Sequence, residues 1–320
     1  AAGGFKMLIV GDLCLDRWCT YAPDLSEPSR ETGLIRTAVV ATQATPGAAG
    51  TVASNLRALG AGHVSVLGFL GDDGHGLELR RAMAQKNIDC SLLVESDGAT
   101  FTYTKLINQR TLIEDLGRVD FISFPPRPEA EQELIRRLEL CLGEYDAVLV
   151  ADQMETALGG AVTAAVRQRL IEAGRKGEAK LIWVDSRMRI EKFHGLLLKP
   201  NQREAAEACA RLGLHAEDYQ GLRAAASSPL IAVTHGGDAV TLVTPEQVTR
   251  IETRRHENPV DVTGAGDSFS AGMVLALCAG ASPGEAARFG HLVASVTVMK
   301  PGTGAASPEE VLAAAELEAG

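Results

Sequence analysis

The chain has 320 residues, with 31 Lys and Arg against 41 Asp and Glu, a formal charge of −10 at pH 7, and 4% aromatic residues. Hydrophobic residues at 46% and charged residues at 22% are globular proportions, which excludes a disordered or fibrous chain. The acidic balance argues against binding nucleic acid by neutralising phosphates, and so few aromatics argue against a stacking platform for single strands.

Residues 1–6 read as a tail before Met7. Met7 to Val10 is an apolar run ended by Gly11-Asp12, the pattern of a buried strand. Residues 18–45, with Pro23 and Pro28 and alternation over Leu34 to Val40, read as a loop with exposed strands. Gly47 to Leu59 reads as a helix with a Gly/Ala-rich start, closed by Gly60. A strand at 63–69 and a helix at 77–85 follow. Short strand candidates at 92–94, 101–107 and 119–123 join the 34–40 segment in a small antiparallel appendage. From Pro128 the pattern changes. Helices at 129–142, 159–174, 202–212, 266–280, 283–299 and 308–317 are interleaved with strands at 146–151, 180–185, 195–199 and 230–234. Such alternation means crossover connections and a mostly parallel sheet. The expectation is one α/β domain over 1–320 with a minor β appendage. The longest apolar stretch, Ala271 to Ala281, is about half of the roughly 20 residues a membrane span needs and reads as a buried helix. Cys14, Cys19, Cys90, Cys141, Cys209 and Cys278 make no C-x-x-C pair and read as reduced thiols of a cytoplasmic protein.

The segment that carries chemistry is Asp261-Val-Thr-Gly-Ala-Gly-Asp267. Gly264, Ala265 and Gly266 stand directly before a helical pattern, where backbone N–H groups and the helix dipole make an anion site. Asp267 at its mouth would repel a bound phosphate. That placement suits a base that takes a proton from an attacking hydroxyl while the amides hold a transferring phosphoryl group. The alternative is an Asp N-cap after a tight turn. Neither a G-x-x-x-x-G-K-[ST] loop nor a G-x-G-x-x-G after the first strand is present, which disfavours P-loop enzymes and Rossmann dehydrogenases.

Together with three further segments this motif resembles the ribokinase-like (PfkB) carbohydrate kinases. The segments are Gly11-Asp12-x-x-x-Asp16, Pro46-Gly47-Ala-Ala-Gly50 and Lys199-Pro200-Asn201-Gln-Arg-Glu204. The likeness runs from about Met7 to Ala313. It is nearest the heptose-7-phosphate kinase branch, through Gly-Asp-x-x-Leu-Asp-Arg, Thr104-Lys105-Leu106 and Lys300-Pro-Gly-Thr-Gly-Ala-Ala-Ser-Pro308.

The resemblance implies a ribokinase-like α/β fold, a mostly parallel central sheet flanked by helices, and a small β-sheet lid from insertions at about 18–45 and 92–123. It implies transfer from ATP to a sugar or sugar phosphate, with Mg²⁺ and, as in many members, potassium. No nucleic acid or membrane partner is implied, and the lid pairs two subunits in a homodimer. Asp267 becomes the base and Gly264, Ala265 and Gly266 the amide anion hole. Asp12, Asp16, Gly47, Ala48, Thr51, Lys105 and Glu155 fall at the acceptor, with Asp152 the rival of Glu155. Asn201, Glu204, Thr234, Gly236, Gly237 and His291 fall at the nucleotide, Glu204 serving Mg²⁺ through water. Asp261, Thr263, Gly302 and Ser307 fall at the monovalent cation. On their own, Asn201 and Glu204 read equally as a helix cap, and His291 as a packing residue.

Two positions depart from the family pattern. Ala48 replaces a glycine and Thr51 an asparagine, which narrows the pocket and changes its hydrogen bonding. Lys105 and Arg110 read either as contacts to a substrate phosphate or as edge-strand charges. Arg118-Val-Asp120 corresponds loosely to an Arg-x-Asp of the heptose branch. The alternatives are a nucleoside kinase of the same fold and a non-catalytic sugar- or nucleotide-binding sensor.

Overall fold

The short apolar runs become strands whose two faces are both covered. In the computed structural model, which describes residues 2–122, 125–154, 160–253 and 258–319, β1 (Lys6–Gly11) buries Met7 and Ile9 on one side and Leu8 and Val10 on the other. Burial on both faces explains an unbroken apolar run where an exposed sheet would alternate. β1 lies between β4 (His63–Leu67) and β9 (Ala147–Asp152), and the sheet continues through β10 (Ile182–Ser186), β11 (Leu197–Leu198) and β12 (Ile231–Thr234), all parallel. A hairpin of β13 (Ala239–Val243) and β14 (Val248–Glu252) completes eight strands by antiparallel pairing.

One face is packed by α1 (Ala49–Ala58), α7 (Ala265–Cys278) and α8 (Pro283–Thr297), with α9 (Pro308–Ala319) against α8. The other face is packed by α3 (Pro128–Cys141), α4 (Ala164–Lys176), α5 (Gln202–Arg211) and α6 (Tyr219–Ala225). A second sheet has the order β3-β2-β7-β8, from β3 (Val39–Ala48), β2 (Leu13–Tyr21), β7 (Thr102–Asn108) and β8 (Val119–Phe121). α2 (Gly74–Gln85) lies in the connection between β5 (Phe69–Gly71) and β6 (Val94–Ser96), a two-stranded parallel pair.

Several boundaries differ from expectation. The presumed tail takes part in the sheet: Lys6 opens β1, and the Phe5 carbonyl accepts from the Gly62 and His63 N–H groups at 3.0 and 3.1 Å. The strand expected at 63–69 breaks at Gly68, where a Cβ would stand 2.3 Å from the Gly11 carbonyl oxygen. Residues 92–94 therefore lead into β6, which pairs with β5 and not with the appendage. The second sheet begins at Leu13, not at 18, and it is mixed, because β2 and β7 run parallel from Leu15↔Thr102 to Tyr21↔Asn108. Gly47 and Ala48 end β3, and α1 starts at Ala49. α4 starts at Ala164, capped by the Thr163 hydroxyl accepting from the Val166 N–H at 3.2 Å. The β13–β14 hairpin and α6 are additional to the expected elements. Among the described residues no helix is long and apolar enough to cross a membrane, and all six cysteines are free.

Candidate active site

The carboxyl ends of β9 to β12 carry Asp152, Asp185, Lys199 and Thr234 within one residue of the strand ends, which is where open α/β sheets bind ligands. The N-terminus of α7 meets this edge. Its N-cap is Gly264 at φ 78°, a left-handed conformation that glycine adopts without strain, and no side chain caps the helix. Asp267 is therefore not the N-cap that the alternative reading required. The Ala265 N–H bonds the Val262 carbonyl at 3.2 Å and the Ser268 N–H bonds the Gly264 carbonyl at 2.9 Å. The Gly266 and Asp267 amides make no bond among the described residues. The amides without a bond thus lie one residue further along than the Gly264–Gly266 trio, at Gly266 and Asp267.

Three cavities meet at this helix end. The first, of about 360 Å³, is mainly apolar and is lined by Thr234, Gly236, Gly237, Val240, Phe269 and His291 among others. Gly236, at φ 62°, makes the turn between β12 and β13. His291 is buried on α8.

The second cavity, of about 540 Å³, lies between α5 and α7 and is lined by Asp185, Arg187, Lys199, Asn201, Glu204 and Asp267 among others. Lys199 is 3% exposed and pairs with Asp185 at 2.8 Å. A Cβ on Gly266 would stand 3.4 Å from the Lys199 Nζ, contact distance, so the ammonium lies close against the start of α7. Asn201 and Glu204 form a capping box on α5. The Asn201 Oδ1 accepts from the Glu204 N–H at 2.9 Å, and the Glu204 Oε2 accepts from the Asn201 N–H at 2.7 Å. The capping box faces this cavity, so the two residues cap α5 and line the cavity at once.

Burial and then the charge of Asp185 push the Glu204 carboxyl up to about 7, against the pull of Lys199. The same two causes push Asp267 up to about 7, opposed by Lys199 and Arg187. Crowded hard oxygen donors of this kind suit Mg²⁺. Among the described residues no three His, Cys, Asp or Glu side chains converge on one point that could hold a metal ion. The donor set therefore fits a Mg²⁺ that keeps its waters and phosphate oxygens, with Glu204 and Asp185 beyond them.

The third cavity, of about 250 Å³, is roofed by the second sheet. Asp16, Trp18, Tyr103, Lys105 and Arg118 line it, and Gln153, Arg187, Gly264 and Asp267 close its floor. The Lys105 Nζ lies 5.8 Å from the Trp18 ring centroid, and the Arg118 guanidinium 4.4 Å from that of Tyr103. Asp120 holds Arg118 by two bonds of 2.7 and 2.8 Å; of the loosely placed Arg-x-Asp, Arg118 lines this cavity and Asp120 does not. Burial pushes the Asp16 carboxyl up to about 6, while Lys105, Arg118 and Arg187 pull it back. A Cβ on Gly47 would stand 2.6 Å from the Asp16 Oδ2. Ala48 has φ 51° and ψ −119°, a strained conformation for a residue with a Cβ. The Thr51 hydroxyl donates to the Pro46 carbonyl at 3.2 Å and is buried.

Not every expected residue reaches a cavity of the site. Asp12 does not line the third cavity. Its carboxylate accepts from the Gln153, Met154 and Ala161 N–H groups at 2.7, 3.0 and 2.6 Å and braces the loop after β9. Burial, then the charge of Asp152, push it up to about 6 against those three bonds. Asp152, the rival of Glu155, is itself buried and paired with Arg189. Glu155 lies outside the described residues. Arg110 pairs with Asp24 on the surface, away from the cavity. Asp261 accepts from the Thr263 and Gly302 N–H groups at 2.8 and 3.1 Å; burial opposes, but these bonds hold it below the usual carboxylate range. Ser307 caps α9 by accepting from the Glu310 N–H at 3.3 Å. Arg187, Gln153, Lys199, Asp185, Trp18 and Tyr103 are lining residues that the sequence reading did not assign. The position of Asp185 and Arg187 at the end of an apolar strand is the signal that could have found them.

Residues 10–310 match the model of the pfkB family of carbohydrate kinases. Among curated relatives, the chain is 32% identical to the bifunctional protein HldE of Caulobacter sp. strain K31 and 31% identical to that of Trichlorobacter lovleyi. The alignments cover 99% of this chain and 64% of each relative, so the chain spans a little under two thirds of their length. Among solved structures, Escherichia coli phosphofructokinase-2 in complex with potassium superposes with a TM-score of 0.76 at 19% identity, covering 98% of this chain and 99% of that one. Ribokinase from Thermotoga maritima gives 0.72 at 20% over the same shares. A nucleoside kinase from Burkholderia thailandensis in complex with inosine gives 0.69 at 18%, over 98% of each chain. At these identities the solved structures establish the fold.

Proposed function

Because the chain belongs to the pfkB family of carbohydrate kinases, we propose that it transfers the γ-phosphoryl group of ATP to a hydroxyl of a sugar phosphate, a heptose 7-phosphate. The observation that carries this reading is the placement of Asp267 and the α7 N-terminus between a polar cleft and a cavity holding two second-sheet cations, Lys105 and Arg118. The apolar cavity by Gly236 and His291 takes the nucleoside, and the cleft by Lys199 and Asn201 takes the phosphates. Lys105 and Arg118 grip the phosphate that the acceptor already carries, and Asp16 accepts from its hydroxyls.

Asp267 takes the proton of the attacking hydroxyl. Its raised carboxyl is matched to working near neutral pH. The Gly266 and Asp267 amides, aligned with the helix dipole, hold the negative charge of the transferring group. Mg²⁺, when bound, neutralises phosphate charge. Glu204 and Asp185 would hold it through its waters, and Lys199 adds a buried cation beneath the amides.

The second sheet acts as a lid that excludes water. The Thr45 hydroxyl meets that of Thr303 at 3.1 Å, tying β3 to the 299–307 loop. Asp261, Thr263 and Gly302 anchor that loop as a monovalent-cation site, which predicts potassium activation. Exposed Val39, Val40, Val119 and Phe121 on β3 and β8, with Leu34 and Ile35, support a homodimer through the lid. Free thiols accord with a cytoplasmic enzyme.

A second reading, a nucleoside kinase, draws on the aromatic walls Trp18, Phe101 and Tyr103. An ADP-release assay over heptose 7-phosphate, fructose 6-phosphate, ribose and inosine separates the two. Turnover confined to the sugar phosphates supports the proposal. Preference for inosine replaces it with the second reading, and ligand-induced stabilisation without turnover on any acceptor points to a sensor.

A further inference from the structure

The charge distribution around Asp267 leaves one cation with a distinctive position. Lys105 and Arg118 line only the acceptor cavity, and Lys199 lines only the phosphate cleft, where it is committed to Asp185. Among the described residues, Arg187 is the one cation that lines both. It lies one residue beyond the end of β10, half-buried, and donates from Nε to the Gln153 Oε1 at 2.8 Å. Gln153 also fronts both cavities. A bond through Nε fixes the plane of the guanidinium fork against the end of β9. The cation reaches all sides of the site, since it pulls down the carboxyls of Asp16, Glu204 and Asp267 against burial.

We propose that Arg187 is a second catalytic residue, whose guanidinium binds the equatorial oxygens of the phosphoryl group as it crosses from the cleft to the acceptor cavity. This inference rests on the kinase reading above. In the step, the acceptor oxygen forms a new P–O bond as the bond between the γ-phosphorus and the β,γ-bridging oxygen breaks. The electron pair stays on ADP, the hydroxyl proton goes to Asp267, and Arg187 keeps all its protons. A planar fork with five N–H donors suits three spreading equatorial charges better than an ammonium does. The position also explains a division of labour: Lys105 and Arg118 hold what the acceptor brings, and Arg187 holds what it receives.

The test uses the full chain with Mg²⁺, ADP, aluminium fluoride and heptose 7-phosphate, read by calorimetry, beside steady-state kinetics. Arg187→Met should lower kcat by about a hundredfold or more, in the range of one lost transition-state donor. It should bind Mg·ADP within threefold of wild type and lose a matching factor of the extra affinity that aluminium fluoride confers. Arg187→Lys, which keeps charge and bulk, should fold as wild type and recover only part of that affinity. The proposal is overturned if kcat holds while the KM for heptose 7-phosphate rises, or if the aluminium fluoride complex is as tight in Arg187→Met as in wild type. A wild-type protein that gains no affinity from aluminium fluoride would instead sink the kinase reading, and this inference with it.

Discussion

The site is assembled from two regions that solve the same electrostatic problem differently. On the large sheet, backbone does most of the work: two amides of α7 and the capped start of α5 line the cleft, the turn at Gly236 lines the apolar cavity, and the buried Lys199 pairs with Asp185. On the second sheet, long side chains do it: Lys105 and Arg118 lie over aromatic rings and face Asp16. Backbone positions are fixed by the fold and barely depend on side-chain identity, whereas side-chain reach can be retuned one residue at a time. On the proposed reading, the nucleotide half is therefore set by the fold, and the acceptor half is the part that single side-chain changes can retune. Two neighbouring carboxylates make the same contrast in small. Asp12 and Asp16 are both pushed up to about 6, but Asp12 spends its oxygens on three backbone N–H groups, while Asp16 faces three cations.

The sharpest break of this picture is Asp267→Asn, which removes the proposed base where the two halves join. It should lower kcat by ~10³-fold, within the range for a lost general base, with Mg·ADP affinity unchanged. Stability should not fall. A carboxyl raised from its unfolded value to about 7 binds its proton more tightly when folded, so stability declines as pH rises from the unfolded value through 7. The variant is spared that decline, and its melting temperature at pH 8 should equal or exceed wild type. A lower one would contradict the burial argument.

The next effect is on pH. Because Asp267 must be ionised to accept a proton, kcat/KM should fall tenfold per pH unit below about 7. An acid limb near pH 4 would mean that Asp267 is not the base or is not desolvated.

A smaller effect sharpens the adjustable half. Ala48→Gly removes a Cβ from a strained conformation. Against the added freedom of glycine when unfolded, the net gain should be about 1 kcal/mol. Denaturation should report a raised midpoint with an unchanged slope, and the wider pocket should change the acceptor KM without touching that for ATP. The smallest effect is Arg110→Ala, on an exposed pair with Asp24 outside the cavity. Stability should stay within about 0.5 kcal/mol and kinetics should be unchanged. A raised acceptor KM would return Arg110 to the site.

How much of this was legible in sequence follows the same division. The large sheet was readable because buried parallel strands are short apolar runs and its helices alternate with them. The start of α7 was readable because small residues directly before a helical pattern mark a tight turn, here with Gly264 at a positive φ. The β13–β14 hairpin was not, because Ala239 to Val243 is fully buried and does not alternate. The start of β2 was hidden for a related reason: Leu13 to Leu15 are buried, and the parallel pairing that begins at Leu15 joins a partner, Thr102, more than 80 residues away. Arg187 and Lys199 escaped assignment because a lone cation after a strand has no spacing rule, and only the fold brings it to Asp267.

The central claim is that the acceptor cavity reads a phosphate already on the sugar. Its most direct measurement is kcat/KM for heptose 7-phosphate and for the same heptose without phosphate, in wild type and in Lys105→Ala/Arg118→Ala. The account predicts a wild-type preference of a hundredfold or more for the phosphorylated sugar, since a charge-assisted grip by two cations is worth about 3 kcal/mol, and its collapse in the double variant. Equal turnover of the two sugars by wild type, or a preference that survives loss of both cations, would contradict it.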